Sequence, residues 1–287
     1  MERLNPLDDF IFTKVFGEKG DEEQLLAFLN AVLQRTGRDG LVSVEILEDK
    51  TLTGDTIGKK LGVLDVRART DKGDDVNIEV QLKDLHNMDR RSIFYWSKRY
   101  IKHLNAGENY NLLPNVIAIN IVDFDYIKLD DYHTSFHLRE DRSPAYVLTD
   151  AIEIHFLNMA KFRKLKNKDI KNNVLERWLL YLDDTTPPEL IEEIIRMDTV
   201  IERTNERLEF LSQDDETMRY YELRQMERAD WNSVVYERDQ NAQRADQNAQ
   251  RAEAAIQRAD QNARERDQAI QRAEAAERRL AELEAKK

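Results

Sequence analysis

The sequence predicts a mixed α/β fold, in which a sheet with one central buried strand is flanked by helices. Residues 115–124 (NVIAINIVDF) form a nearly continuous apolar run, typical of a strand buried on both faces. Two earlier runs, 61–70 and 76–83, alternate apolar and polar residues around the polar turn 71–75 and therefore predict a β-hairpin. Between the hairpin and the buried strand, residues 84–105 have the pattern of one long helix.

The remaining elements of the first 165 residues are predicted from the same kinds of pattern. Leu25, Phe28, Leu29 and Val32 recur at helical spacing and predict a helix over about residues 22–34. Short β-prone runs predict further strands at 43–47, 132–138 and 152–157. Strands on both sides of a long helix are the pattern of a mixed sheet covered by helices.

The second half of the chain is predicted to be helical. Residues 174–182 form one helix, and Pro187 and Pro188 start further helical sequence. From Gln240 the chain nearly repeats every seven residues, with the spacing of coiled-coil positions a and d. The seam is mostly alanine, which buries little apolar surface. A solvated single helix and a homo-oligomer therefore both stay open.

These patterns divide the chain into three expected parts. A sheet domain is expected over 1–165, a helical region over 166–236 and the heptad-repeat helix over 237–287.

The composition excludes several classes of protein. The 287 residues contain no cysteine, which excludes disulfides and thiolate metal sites. No stretch approaches the roughly 20 apolar residues needed to cross a bilayer, and the first residues do not resemble a signal peptide. We therefore expect a cytoplasmic protein with no membrane partner. The net charge of −12 argues against a surface that attracts nucleic acid everywhere.

Two carboxylates lie inside the predicted hairpin. Asp65 and Glu79 occupy runs in which carboxylates are depleted. If the turn is centred at residue 72, paired residues have numbers that sum to 144, so these two face each other with Cβ atoms about 4.5–5.5 Å apart. Gln81 shares the face because side chains alternate along a strand. Two hard oxygen ligands beside an amide suit Mg²⁺ or Mn²⁺, which can activate a water for attack on a phosphate.

The predicted long helix carries a basic and aromatic stripe. Arg91, Tyr95, Lys98 and Lys102 share one face, which is a candidate surface for tracking DNA phosphates. The apolar residues expected to face a core are Ile93, Tyr100, Ile101 and Leu104.

Each of these features has an ordinary alternative. The two acids could lie on a solvated sheet face with Arg67 and Arg69 as partners, and the stripe could be a solvated helix face. The five histidines show no metal-ligand spacing, and no Gly-rich phosphate loop follows a strand.

Taken together, these segments resemble the PD-(D/E)xK nuclease superfamily, and more specifically the Rpn-type family of recombination-promoting nucleases and putative transposases. The resemblance spans about residues 5–160. It is carried by DFIFTKVFG (9–17), LLAFLNAVL (25–33), LDVRARTDKGDDVNIEVQ (64–81), RSIFYWSKRY (91–100) and the PNVIAINI strand. It implies a restriction-endonuclease-like mixed sheet flanked by helices.

The resemblance also implies a site and an activity. Asp65, Glu79 and the backbone carbonyl of Val80 would hold Mg²⁺ or Mn²⁺, and Gln81 takes the place where the superfamily usually has lysine. Glutamine cannot carry the positive charge, but it can orient the attacking water or donate to the scissile phosphate.

The implied function is that of a metal-dependent DNA endonuclease which promotes recombination or mobile-element rearrangement. The alternative is a catalytically weak or inactive protein of the same fold, acting as an oligomeric DNA- or protein-binding module. Lys83 or Lys98 are candidates for the missing charge, and Asp9 and Glu23 are candidates for a further acidic group.

Overall fold

The computed structural model describes residues 3–33, 40–47, 65–84, 86–104 and 109–284. The helices are α1 (Asp9–Phe16), α2 (Glu22–Leu33), α3 (Met88–Lys102), α4 (Met159–Lys164), α5 (Val174–Leu182), α6 (Pro188–Met197), α7 (Thr199–Ser212) and α8 (Asp215–Glu284). The strands are β1 (Val44–Ile46), β2 (Asp65–Thr70), β3 (Asp75–Gln81), β4 (Val116–Val122), β5 (His133–Arg139) and β6 (Val147–Asn158). Residues 61–64 of the predicted hairpin, residue 34 of the predicted first helix, and residues 85 and 105 of the predicted long helix lie outside the described residues.

The six strands form one mixed sheet in the order β1-β2-β3-β4-β6-β5. β1, β2 and β3 pair antiparallel, β3, β4 and β6 pair parallel, and β5 pairs antiparallel with β6. Strand β4 lies in the middle and all seven of its residues are buried, as the apolar run predicts. The α/β prediction, with helices flanking a mixed sheet, is confirmed.

The β2–β3 hairpin has the predicted register, and a short loop fixes it. Arg69 pairs with Asp75, and the amide of Gly73 donates to the Thr70 carbonyl at 2.9 Å. Gly73 has φ +83°, a left-handed conformation that a side chain would strain, and it ends a tight loop of the kind that sets hairpin register.

One face of the sheet, which we call the core face, packs against helices α1, α2, α5 and α7. It carries the apolar residues of the alternating strands: Val66, Ala68, Val76, Ile78, Val80, Ile117, Ile119 and Ile121. Phe16, Phe28 and Trp178 join the helices there, with ring centroids 5.6–5.9 Å apart. Burial of so many large side chains is the main stabilising contribution to this part of the chain.

The opposite face, which we call the α3 face, is polar in its centre. Asp75, Asn77 and Glu79 of β3 point to it and are all buried, because α3 covers them. The fully buried residues of α3 are Met88 and Ser92. The expectation that Ile93 and Ile101 face a core is wrong: they are 53% and 68% exposed. The helix turns Arg91 and Arg99 inward because two buried acids of β3, Glu79 and Asp75, lie beneath them.

The helical segment after α4 belongs to the same hydrophobic core as the sheet. Trp178, Ile201 and Leu208 are part of that core, and the compact unit extends to Tyr221. The boundary expected between residues 165 and 166 lies inside this unit. The helical sequence after Pro188 is divided at Asp198, which ends α6 and caps the start of α7 by accepting hydrogen bonds from two amides.

Residues 222–287 form the second unit. It contains most of α8, and the heptad repeat lies entirely within the predicted helix as far as Glu284. Ile256 and Ile270, the largest seam residues of the repeat before Leu280, are 63% and 46% exposed. The expected helix is confirmed, and its association with other chains stays a prediction.

Candidate active site

Asp65 and Glu79 are direct partners across the β2–β3 pair. Both point to the α3 face, and their side chains are only 9% and 3% exposed. The pairing predicted from the hairpin arithmetic is therefore confirmed. Two carboxylates held on one rung of a sheet and removed from water repel each other unless positive charge lies close to both.

Each carboxylate has an arginine as counter-ion. Arg67 Nε lies 3.3 Å from Asp65 Oδ2, and Arg91 Nη2 lies 2.6 Å from Glu79 Oε1. The second contact is a close ion pair, although among the described residues neither Glu79 Oε1 nor Arg91 Nε makes a hydrogen bond of regular geometry. The acids are thus paired but buried, unlike the solvated pairing considered from the sequence.

The electrostatics of Glu79 show which other groups belong to the site. Burial raises the pKa of the Glu79 carboxyl above its ordinary value, the Arg91 guanidinium opposes this rise, and the charges of Asp65 and Asp9 add to it. Asp9, the first residue of α1, is thus close enough to act on Glu79. Glu23 is not part of the site, because it pairs with Arg203 at the surface.

The four residues of the basic stripe have different surroundings. Arg91 contacts Glu79 and lies over the Tyr95 ring, with 5.5 Å between the guanidinium carbon and the ring centroid. Burial raises the pKa of the Tyr95 hydroxyl, and the charges of Glu79 and Asp65 contribute to the rise while Arg91 opposes it. Lys98 and Lys102 are exposed further along the helix. The stripe therefore begins at the acid pair and leads away from it.

Gln81 and Val80 complete the predicted set. The Gln81 amide nitrogen donates one hydrogen bond to the Lys83 carbonyl at 3.1 Å, and the amide oxygen is the atom of this side chain that can accept from a water. Val80 points its side chain to the core face and is 6% exposed, so only its backbone carbonyl can act as a ligand. Gln81 lies on the α3 face two residues beyond Glu79, at a half-buried position.

The acid pair has the chemistry to hold a hard divalent cation. Glu79 offers a buried carboxylate whose Oε1 is in contact with Arg91 but makes no hydrogen bond of regular geometry among the described residues, and Asp65 faces it across the hairpin. Among the described residues, no group of three or more His, Cys, Asp or Glu side chains is placed to hold a metal. The protein would therefore supply two carboxylates and a backbone carbonyl, leaving further positions to water and phosphate, as Mg²⁺ commonly requires.

Two residues near Glu79, Asn120 and Ser92, were not predicted from the sequence as part of the site. Asn120 of β4 is the parallel-register neighbour of Glu79, and its Oδ1 lies 2.9 Å from the Ser92 hydroxyl on α3. The Asn120 amide also donates to the His155 carbonyl at 3.0 Å, so it joins helix, central strand and β6. The sequence indicated this role only through the position of Asn120, which is the single polar residue in the apolar run of β4.

A third unpredicted group fixes the far end of α3. Arg99 binds Asp75 through both carboxylate oxygens, with Nε–Oδ1 and Nη2–Oδ2 distances of 2.7 Å, and His103 Nε2 lies 2.6 Å from Asp75 Oδ2. Asp75 is completely buried. Helix α3 is therefore tied to β3 at two acids, Asp75 and Glu79, one near each end.

The paired histidines lie away from this site. His133 Nε2 and His155 Nδ1 are 2.9 Å apart, and His155 Nε2 is 2.7 Å from Glu153 Oε1. Burial, together with His155, lowers the pKa of His133 to about 4. The strand register places His155 and Glu153 on the core face, opposite to Glu79.

No helix of the described segments has the length and apolar character that crossing a bilayer requires.

Comparison with known families agrees with the geometry. The chain has no match among curated proteins or solved structures. Residues 6–238 match the family model described as PD-(D/E)XK nuclease family transposase, which covers most of the chain. The chain therefore belongs to the PD-(D/E)XK nuclease family of transposases.

Proposed function

We propose that the protein is a divalent-metal-dependent DNA endonuclease. The observation that carries the proposal is the buried pair Asp65–Glu79, held on one rung of the β2–β3 hairpin. Membership of a nuclease family supports a phosphodiester as the substrate. The family's description as a transposase supports cleavage in the service of recombination or mobile-element rearrangement.

In this proposal Asp65, Glu79 and the Val80 carbonyl hold Mg²⁺ or Mn²⁺. The ion would lower the pKa of a water and stabilise charge on the phosphate under attack. Gln81 orients the attacking water through its amide oxygen, and the hydrogen bond from its amide nitrogen to the Lys83 carbonyl holds the side chain in place. Asp9 adds negative charge next to Glu79, which favours a cation there.

The stripe on α3 is the proposed DNA-binding surface. Arg91 and Tyr95 lie at the acid pair, while Lys98 and Lys102 are exposed one and two turns beyond Tyr95. Exposed lysines bind phosphates without reading base sequence, so we expect binding that weakens as salt rises. On a chain with net charge −12, this local stripe supplies the attraction that the whole surface does not.

Cleavage of supercoiled plasmid tests this function. We expect nicked or linear product with Mg²⁺ or Mn²⁺, none in EDTA, and none from Asp65→Ala or Glu79→Ala. Glu45→Ala is the matched control, because it removes one carboxylate from an exposed position of the neighbouring strand β1. Cleavage that persists in EDTA or survives both site substitutions excludes the proposed mechanism.

One observation favours the alternative of a binding module without activity. Both acids already have an arginine counter-ion. In that case the wild-type protein would bind DNA but leave the plasmid intact at all metal concentrations.

We also propose that α8 mediates weak self-association. The heptad spacing allows two copies to pack along the alanine and isoleucine seam, and Ile256 and Ile270 are exposed on the single chain. Because alanine buries little surface, the association should depend strongly on protein concentration.

A further inference from the structure

Two arginines on α3 each pair with an acid of β3, but only one of these two ion pairs has bidentate hydrogen bonds. Arg99 grips Asp75 through both carboxylate oxygens, and His103 adds a further contact. Arg91 Nη2 lies 2.6 Å from Glu79 Oε1 as an ion pair, but among the described residues neither Glu79 Oε1 nor Arg91 Nε makes a hydrogen bond of regular geometry. The same helix and strand therefore present one ion pair with bidentate hydrogen bonds and one without them. The pair without them is the one in the candidate active site.

We propose that Arg91 is an exchangeable counter-ion of Glu79: a divalent cation displaces it, and the released guanidinium then binds the DNA phosphate. This inference rests on the proposed nuclease function and specifies how the site changes between its free and metal-bound forms. Arg91 and a cation compete for the same carboxylate, because two positive groups repel when they share one buried oxygen.

The surroundings of Arg91 suit such an exchange. Its side chain is 20% exposed, twice the 10% of Arg99, so a path towards solvent exists. Its planar group also lies over the Tyr95 ring, at 5.5 Å. A cation–π contact keeps the guanidinium near the site after its carboxylate contact is lost, since it needs no hydrogen-bond geometry.

The released group would supply the charge that Gln81 lacks. Glutamine stands two residues after Glu79 and carries no positive charge. A guanidinium presents paired donors that match two phosphate oxygens, which a single ammonium does not. Arg91 is thus better placed than Lys98, which is exposed two turns along the helix, to provide this charge.

Metal binding tests the exchange without relying on turnover. Mn²⁺ affinity would be measured by calorimetry for wild type, Arg91→Gln and Arg90→Gln. Arg90 is exposed on the same turn, so the control changes the net charge equally without touching Glu79. We expect Arg91→Gln to bind Mn²⁺ about 5–150-fold more tightly, a range typical of the coupling between two binding interactions in one protein, and Arg90→Gln to bind as wild type does.

Two further readouts separate exchange from a purely structural role. Without metal, Arg91→Gln should unfold at a lower temperature than wild type, because Glu79 loses its counter-ion, and Mn²⁺ should raise its midpoint more than that of wild type. At saturating Mn²⁺, Arg91→Gln should cleave plasmid more slowly despite binding the ion more tightly.

The outcomes distinguish this inference from the proposed function. Wild type that binds no Mn²⁺, or binds it equally well as Asp65→Ala, overturns both. Mn²⁺ binding that Asp65→Ala abolishes but Arg91→Gln leaves unchanged or weakens overturns the exchange alone. An Arg91→Gln protein that stays unfolded in Mn²⁺ also overturns it, since the ion would then not replace the guanidinium.

Discussion

Removal of the Arg99 side-chain charge is the sharpest test of how α3 is held on the sheet. Arg99→Met keeps most of the aliphatic stem but leaves Asp75, which is 0% exposed, with His103 as its only side-chain partner among the described residues. Loss of one partner of a buried pair typically costs about 3–5 kcal/mol. Because His103 stays, we expect roughly 3 kcal/mol, or a fall of about 6–12 °C in Tm for a domain of this size.

Tryptophan fluorescence during urea unfolding is the suitable assay. Trp178 is fully buried in the core and reports on the sheet unit, whereas far-UV circular dichroism would be dominated by the long helix α8. Lys98→Met, an exposed change on the same helix, is the matched control. Asp75→Asn combined with Arg99→Met removes the stranded charge and should recover part of the loss. The reasoning is refuted if Arg99→Met stays within about 1 kcal/mol of wild type, or if the double variant is no better.

Three other predictions concern turnover, pH and assembly. Gln81→Ala should slow cleavage by about 10²–10³, the effect of one lost transition-state contact, and Gln81→Lys should retain measurable activity; a wild-type single-turnover rate for Gln81→Ala would show that the amide takes no part. Burial raises the pKa of the Asp21 carboxyl from 3.8 to about 6. The contribution of this group to folding stability is therefore fully present below pH 3.8 and is lost as the pH rises through about 6. Asp21→Asn should therefore raise Tm at about pH 7.5 and leave it unchanged near pH 4, and an equal shift in thermal melts at both pH values would contradict this. Deletion of everything after Tyr236 should preserve cleavage per chain but abolish any concentration-dependent mass in light scattering, and an unchanged mass would remove the coiled-coil interpretation.

The hairpin register and the acid pair could be predicted because both depend on local sequence. A short polar loop with a glycine, between two alternating runs, allows one arrangement that buries Val66 and Ile78 together. That arrangement also places Asp65 opposite Glu79. No knowledge of the rest of the chain is needed for either result.

The orientation of α3 could not be predicted from its own sequence. Apolar residues of a helix usually face the core, which predicts that Ile93 and Ile101 point inward. The face of β3 beneath this helix, however, is polar. The inward side is instead chosen by Arg99 and Ser92, whose partners lie on β3 and β4. These contacts join residues 24 and 28 positions apart, a distance beyond the reach of periodicity.

The end of α6 and the start of α7 at Asp198 are indicated in the sequence by a helix-capping residue, but the apolar spacing hides this indication. An aspartate before Thr199 and Val200 is a typical helix cap, and its carboxylate accepts from two amides of α7. The apolar residues continue with helical spacing on both sides of it, so the periodicity alone predicts continuous helix.

The polar attachment of α3 has a consequence for the motions of the protein. Only Met88 and Ser92 of this helix are fully buried, so it is held on the sheet by its ion pairs to β3 and by the small apolar cluster that Met88 forms with residues of β4 and β6. Local opening of this helix requires much less free energy than global unfolding. In hydrogen exchange, the amides of α3 should therefore exchange well before those of β4, and faster as ionic strength rises. The segment that carries Arg91 and the lysines would then be the part of the protein able to adjust its position when the proposed DNA substrate binds.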